Sequence, residues 1–125
     1  MAVPFPNNLR VLGLQVANID ATSVADRNAN LAAAVVAIKA QPGHDVYVLP
    51  EMSAVGYSDE VMRAVAAPNS PLIEDAETGP SFQTFAPLAR ELGCFIVFGF
   101  PRRDTHAVDG KSGEHLRPTI SQTVR

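Results

Sequence analysis

The hydrophobic pattern along the chain changes period several times, and the changes divide it into strands and helices. Residues 9–17 alternate, with Leu12, Leu14 and Val16 on one face and Val11, Gly13, Gln15 and Ala17 on the other, as in a strand. Both faces are largely apolar, which predicts cover on each. From residue 23 to 40 the period becomes helical, with Val24, Leu31, Val35 and Ile38 on one stripe, many alanines, and Ser23 with Asp26 as a capping box. Pro42 and Gly43 stop this helix, and the run Val46, Tyr47, Val48, Leu49 predicts a second strand over residues 45–50. These three elements form a βαβ unit, which makes the two strands parallel and sets the helix on one face of the sheet.

Residues 52–78 read as mostly irregular, with a short helix over 59–67 behind a Ser58 cap. A loop of this length within a compact domain usually serves a function. Gly79 and Pro80 then open an amphipathic helix carrying Phe82, Phe85, Leu88, Ala89 and Leu92, which ends at Gly93. The apolar run 94–100 has the look of a strand buried on both faces, so a second crossover shares the first sheet. Residues 101–118 turn polar, and 119–124 resume a strand-like alternation. The pattern stops inside that strand with nothing to close its edge, which predicts either truncation or a missing partner.

The chain has 125 residues, 46% of them hydrophobic, within the span of about 100–200 residues usual for one domain. We therefore expect residues 1–125 to form a single domain or part of one. Ten basic and thirteen acidic side chains leave a net charge of −3, too weak a field to gather nucleic acid or an anionic membrane. No secretory signal or membrane-spanning run stands out, so a cytoplasmic location is expected. Cys94 is the single cysteine, and His44, His106 and His115 lack metal-ligand spacing, so neither a disulfide, a metal nor a cofactor is expected.

Candidate chemistry centres on Glu51, which directly follows the second strand. In open α/β sheets the ligand crevice lies beyond the carboxyl ends of the strands. Between Leu49 and Met52 its carboxylate would be partly desolvated, as suits a general base. The alternative is a glutamate that caps a helix or pairs with an arginine. No Gly-x-Ser-x-Gly elbow, phosphate-cradling loop or dinucleotide fingerprint is present.

The segments Arg10 to Asn18, Val46-Tyr47-Val48-Leu49-Pro50-Glu51 with Gly56-Tyr57, Gly79-Pro80, and Leu92 onward through Phe100 resemble, in matching order, the amino-terminal half of the nitrilase superfamily of carbon-nitrogen hydrolases. The resemblance implies part of an αββα sandwich, a mixed sheet with helices on one face, truncated within the domain. It implies a Glu-Lys-Cys triad in which Glu51 takes the proton of a cysteine thiol, the thiolate attacks an amide or nitrile carbon, and a lysine stabilises the developing charge. Tyr57 would shape the acyl pocket.

The family's lysine and nucleophilic cysteine belong to its second half. Lys39 and Lys111 do not match that lysine, and Cys94, at the amino end of its strand, reads as a small buried hydrophobe. The implied activity is hydrolysis of small-molecule amides or nitriles, closer to the amidase branch, by a complete domain. This chain alone would be inactive. The second reading is a catalytically dead half-domain acting as an interaction or structural protein. Both imply self-association through an uncovered sheet face.

Overall fold

The computed structural model of the protein describes residues 8–104 and the backbone of residues 115–122. The elements follow the order β1 (Val11–Gly13), α1 (Val24–Lys39), β2 (Val46–Val48), α2 (Asp59–Ala66), α3 (Pro80–Leu92), β3 (Phe95–Asp104) and β4 (His115–Gln122). One four-stranded sheet runs β1-β2-β3-β4. β1 is parallel to β2, β2 is parallel to β3, and β4 is antiparallel to β3. The expected pair of crossovers and the mixed sheet are both present.

Helix ends follow their capping residues. Ser23 Oγ accepts the amide of Asp26 at 3.2 Å to start α1, and Ser58 Oγ accepts that of Val61 at 3.2 Å to start α2. α3 opens with Pro80 in its first turn and ends at Gly93, whose φ of 64° lies in the left-handed region. The apolar stripes of α1 and α3 bury Leu31, Ala34, Ile38, Phe85, Leu88 and Ala89, and the sheet meets them with Tyr47, Leu49, Ile96, Phe98 and Phe100. Phe85 packs on Phe98 with ring centroids 4.8 Å apart.

Among the described residues the opposite face of the sheet is the more exposed one. Val11, Gly13, Gln15 and Ala17 are exposed, and Val46, Val48, Phe95 and Val97 are only half-buried. The prediction of cover on both faces is therefore corrected: among the described residues the helices lie on one face, and none packs on the other.

Boundaries differ from the periodicity in three places. β1 is three residues long, although Leu14 N still donates to Val48 O at 2.8 Å. Val24, placed on the buried stripe by its spacing, is 37% exposed because it lies in the first turn, while Arg27 and Asn30 are buried instead. β3 continues past Phe100 to Asp104, where the sequence predicted a polar turn, because antiparallel pairing with β4 supplies its backbone partners: Pro101 faces Pro118 across the pair. β4 correspondingly starts at His115, four residues before the predicted strand. Lys111 and His106 fall outside the described residues.

The edge of β3 on the β2 side organises the carboxyl ends of the strands. β2 occupies it first, through Val48 opposite Val97 and Leu49 N donating to Val97 O at 2.9 Å. The turn after β2 comes next, and then Glu74, whose amide donates to Pro101 O at 2.8 Å and whose carbonyl accepts from Arg103 N at 2.9 Å. At the middle position stands Gly99. Side chains alternate along a strand, so with Phe98 and Phe100 in the helix-facing core, a side chain at position 99 would point to the open face. A Cβ there would overlap the carbonyl oxygen of Glu51 and lie 2.6 Å from its carbonyl carbon. Only glycine allows the chain to cross the sheet so closely.

Gly99→Ala is accordingly expected to lower stability by about 1–3 kcal/mol in urea unfolding, as for other overpacked positions. Gly13→Ala is the control, since a Cβ there meets nothing within 4 Å. Equal effects from the two variants would contradict the seating of the Glu51 turn on Gly99.

Candidate active site

Glu51 lies where the sequence placed it, immediately beyond β2 and at the carboxyl ends of three parallel strands. The residues after it form a tight turn. Ser53 N donates to Pro50 O at 3.1 Å, Val55 N to Met52 O at 3.1 Å and Gly56 N to Met52 O at 2.8 Å. Met52, Ser53, Ala54 and Val55 are all buried, so the turn is anchored by its own side chains. Ser53 Oγ also reaches Gly99 O at 3.4 Å.

A second set of bonds ties this turn to the loop that follows β1. Asn30, buried on α1, accepts from Ile19 N at 2.8 Å and donates to Ile19 O at 2.7 Å and Ala54 O at 2.9 Å. Ala21 N donates to Val55 O at 2.9 Å. Gly56 has a φ of 87°, and a Cβ there would come within 2.8 Å of Asp20 Oδ1. The chain thus reverses at Gly56 and carries Tyr57 back beside Glu51.

Hydrogen bonding toward the Glu51 carboxylate, partial burial and the nearby negative charge of Glu51, in that order, push the Tyr57 phenol up from 10.0 to about 12. The sign follows from the donor: a neutral hydroxyl serves the carboxylate, whereas a phenolate would repel it. Glu51 itself is exposed and Tyr57 is 56% exposed. The expectation that Leu49 and Met52 would desolvate Glu51 is therefore corrected. Both neighbours are buried in the core, whereas Glu51 is exposed.

Glu74 is a second carboxylate, missed by the sequence analysis. It is 2% exposed and accepts from Ser81 N at 2.6 Å and Ser81 Oγ at 2.8 Å, so it caps the start of α3. Burial pushes its carboxyl above the ordinary 4.5, opposed by the two Ser81 bonds and by the positive charge of Arg27. Arg27 is itself buried and donates to Pro71 O at 3.0 Å. Nothing in its spacing distinguishes Glu74 from a surface acid. Gly99 did carry a signal, since a glycine inside an apolar strand marks a close backbone approach.

Cys94 is buried at the amino end of β3, and burial pushes its thiol up from 9.0. It sits at the opposite end of the strands from Glu51, as a buried small hydrophobe. An open groove of about 410 Å³ lies between α1 and α3, lined by Asn28, Leu31, Ala32, Pro80, Gln83 and Thr84, and does not include Glu51 or Tyr57. Among the described residues no cluster of three or more His, Cys, Asp or Glu side chains could hold a metal, and no helix is long and apolar enough to cross a membrane.

A strand-end glutamate after βαβ, seated on a glycine of the third strand, is the arrangement on which comparison with known proteins bears. The carbon-nitrogen hydrolase family profile matches residues 14–116. The chain belongs to the carbon-nitrogen hydrolase family. Among solved structures, a cysteine-to-serine variant of an N-terminal amidase superposes with a TM-score of 0.51 at 21% identity, over 90% of this chain and 24% of the amidase. An N-terminal amidase with a Gln-Val peptide superposes with a TM-score of 0.49 at 19% identity, over 94% of this chain and 27% of the other. The chain thus spans about a quarter of the length of these amidases. No curated protein matches. The first superposition supports the nitrilase-type fold of this carbon-nitrogen hydrolase chain.

Glu74→Gln is isosteric, and its amide can serve both groups of Ser81. A carboxyl raised on folding contributes stability that is present below its ordinary value and lost as pH rises through its folded value. The wild type should therefore lose stability relative to Glu74→Gln as pH rises above about 4.5, measured by urea unfolding across pH. Parallel profiles for the two proteins would contradict burial as the dominant influence.

Proposed function

We propose that this chain supplies the general base of a carbon-nitrogen hydrolase acting on amides or nitriles. The observation that carries this reading is Glu51, exposed and held by a tight turn at the carboxyl ends of the parallel strands. The carboxylate takes the proton from a cysteine thiol, and the thiolate attacks the amide carbon. Glu51 returns the proton to the departing ammonia, leaving a thioester. It then takes a proton from water, whose oxygen attacks the thioester to release the acid and restore the thiol. A lysine stabilises the oxyanion in both steps. Tyr57 forms one wall of the acyl pocket.

The lysine and the cysteine come from outside the described residues. Lys39 ends α1 on its exposed side, and Cys94 is buried at the wrong end of β3. The purified chain, prepared free of host amidases, is expected to release no ammonia from simple amides or nitriles. Joined to a carbon-nitrogen hydrolase second half that carries the lysine and cysteine, it should turn over, and Glu51→Gln should then lower kcat by about 10²–10⁴-fold, the usual contribution of a general base. Ammonia release that survives Glu51→Gln would sink the assignment.

The half-exposed apolar face formed by Val11, Val46, Val48, Phe95 and Val97 supports a second reading, in which the chain acts as an interaction half-domain and pairs with another copy. Both readings place a partner on this face, so self-association is expected in sedimentation velocity. A stable, monodisperse monomer would contradict it.

A further inference from the structure

Backbone groups from two separate loops converge on one buried side chain. Asn30 lies on α1 and is 2% exposed. Its Oδ1 accepts the Ile19 amide at 2.8 Å, and its Nδ2 donates to Ile19 O at 2.7 Å and to Ala54 O at 2.9 Å. It thereby joins the loop after β1 to the turn that carries Glu51. A side-chain amide suits this task because it offers an acceptor and two donor hydrogens, whereas a carboxylate only accepts and an aliphatic group does neither. Beside it the two segments make a bond of their own, Ala21 N to Val55 O at 2.9 Å, and a Cβ on Gly56 would lie 3.7 Å from Asp20 Cα.

The Glu51 turn is thus gripped at two points. Its first end is seated on Gly99, and Leu49 N donating to Val97 O at 2.9 Å ties the preceding residues to β3. Its Ala54 end is held by Asn30, and through Asn30 by α1, whose Leu31, Ala34 and Ile38 are packed in the core. Without the second grip the seat on Gly99 would act as a pivot, and the main chain at Glu51 would be free to rotate about it.

From this geometry we infer that Asn30 is a positioning residue for Glu51: it clamps the loop after β1 to the turn after β2 and so fixes the main chain from which the carboxylate projects. The inference deepens the proposed hydrolase reading and rests on it for its catalytic meaning. A base that must meet a thiol brought by another segment depends on that fixity, since a misplacement of about 1 Å can cost a catalytic step on the order of 10²-fold.

The clamp is read first in the unaltered chain, by hydrogen exchange followed by NMR. The side-chain amide protons of Asn30 should exchange about 100-fold more slowly than those of Asn28 and Asn69, which are exposed. Equal rates overturn the clamp, and this comparison needs no variant. In Asn30→Ala, the backbone amides of Ala21, Val55 and Gly56 should accelerate at least about 10-fold more than that of Leu49, which is bonded to β3. Equal acceleration at all four, or none, overturns a local role.

The catalytic part is read in the protein joined to its completing half. Asn30→Ala should lower kcat on the order of 10- to 100-fold with KM little changed. In a Glu51→Gln background the same substitution should lower kcat no further, because the group it positions has gone. A loss of the same factor in both backgrounds marks a merely structural role and overturns the inference, as does an unchanged kcat in the single variant. If ammonia release proves independent of Glu51 while the exchange rates behave as expected, the hydrolase reading fails and the Asn30 clamp on the turn stands.

Discussion

The site depends on the close crossing of one backbone over another, the Glu51 turn over Gly99. β3 presents a single edge to β2, to the turn and to Glu74 in succession, so three segments distant in sequence share one template. A side chain at position 99 would push the turn off the sheet and displace Glu51 with it. The two aromatic neighbours of Gly99 oppose any compensating shift of β3, because Phe98 and Phe100 are locked into the helix-facing core beside Phe85. The main chain at Glu51 is therefore positioned by packing in the helix-facing core.

Much of the fold was legible because the local signals agreed with one another. Ser23, Ser58 and Gly93 marked helix ends chemically, and apolar periodicity marked the faces of α1 and α3. Where periodicity erred, tertiary structure had intervened. β3 ran on through Pro101 because an antiparallel partner lay alongside, and Val24, in the first turn of α1, stayed exposed. Cover on both faces of the sheet was inferred from apolar alternation, yet alternation says only that a face is suited to burial. It does not say which segment buries it.

The site was legible in part. Glu51 could be placed from its position after a strand, since topology decides where strand ends converge. Its surroundings could not be read, because they depend on a residue 48 positions later, Gly99, and on Asn30 reaching both loops from α1. The influence of Glu51 on Tyr57 was hidden for a different reason: the sequence offered Gly56-Tyr57 only as a family motif, with no sign of the left-handed φ of 87° at Gly56.

The two carboxylates also show why burial is a poor guide to function in this molecule. Glu74 is the buried one, with its carboxyl pushed upward, and its hydrogen bonds go to the scaffold: the start of α3 and the edge of β3. Its charge is consumed in holding Ser81 and answering Arg27. Glu51 is exposed, and its backbone is the better fixed because buried neighbours on both sides hold the turn. A residue that must exchange protons with groups from another part of a domain needs that combination, a rigid main chain and an accessible side chain. Desolvation of Glu51, which the proposed chemistry calls for, then has to arrive with whatever covers the open face, so that the base is completed by the same contact that brings the nucleophile.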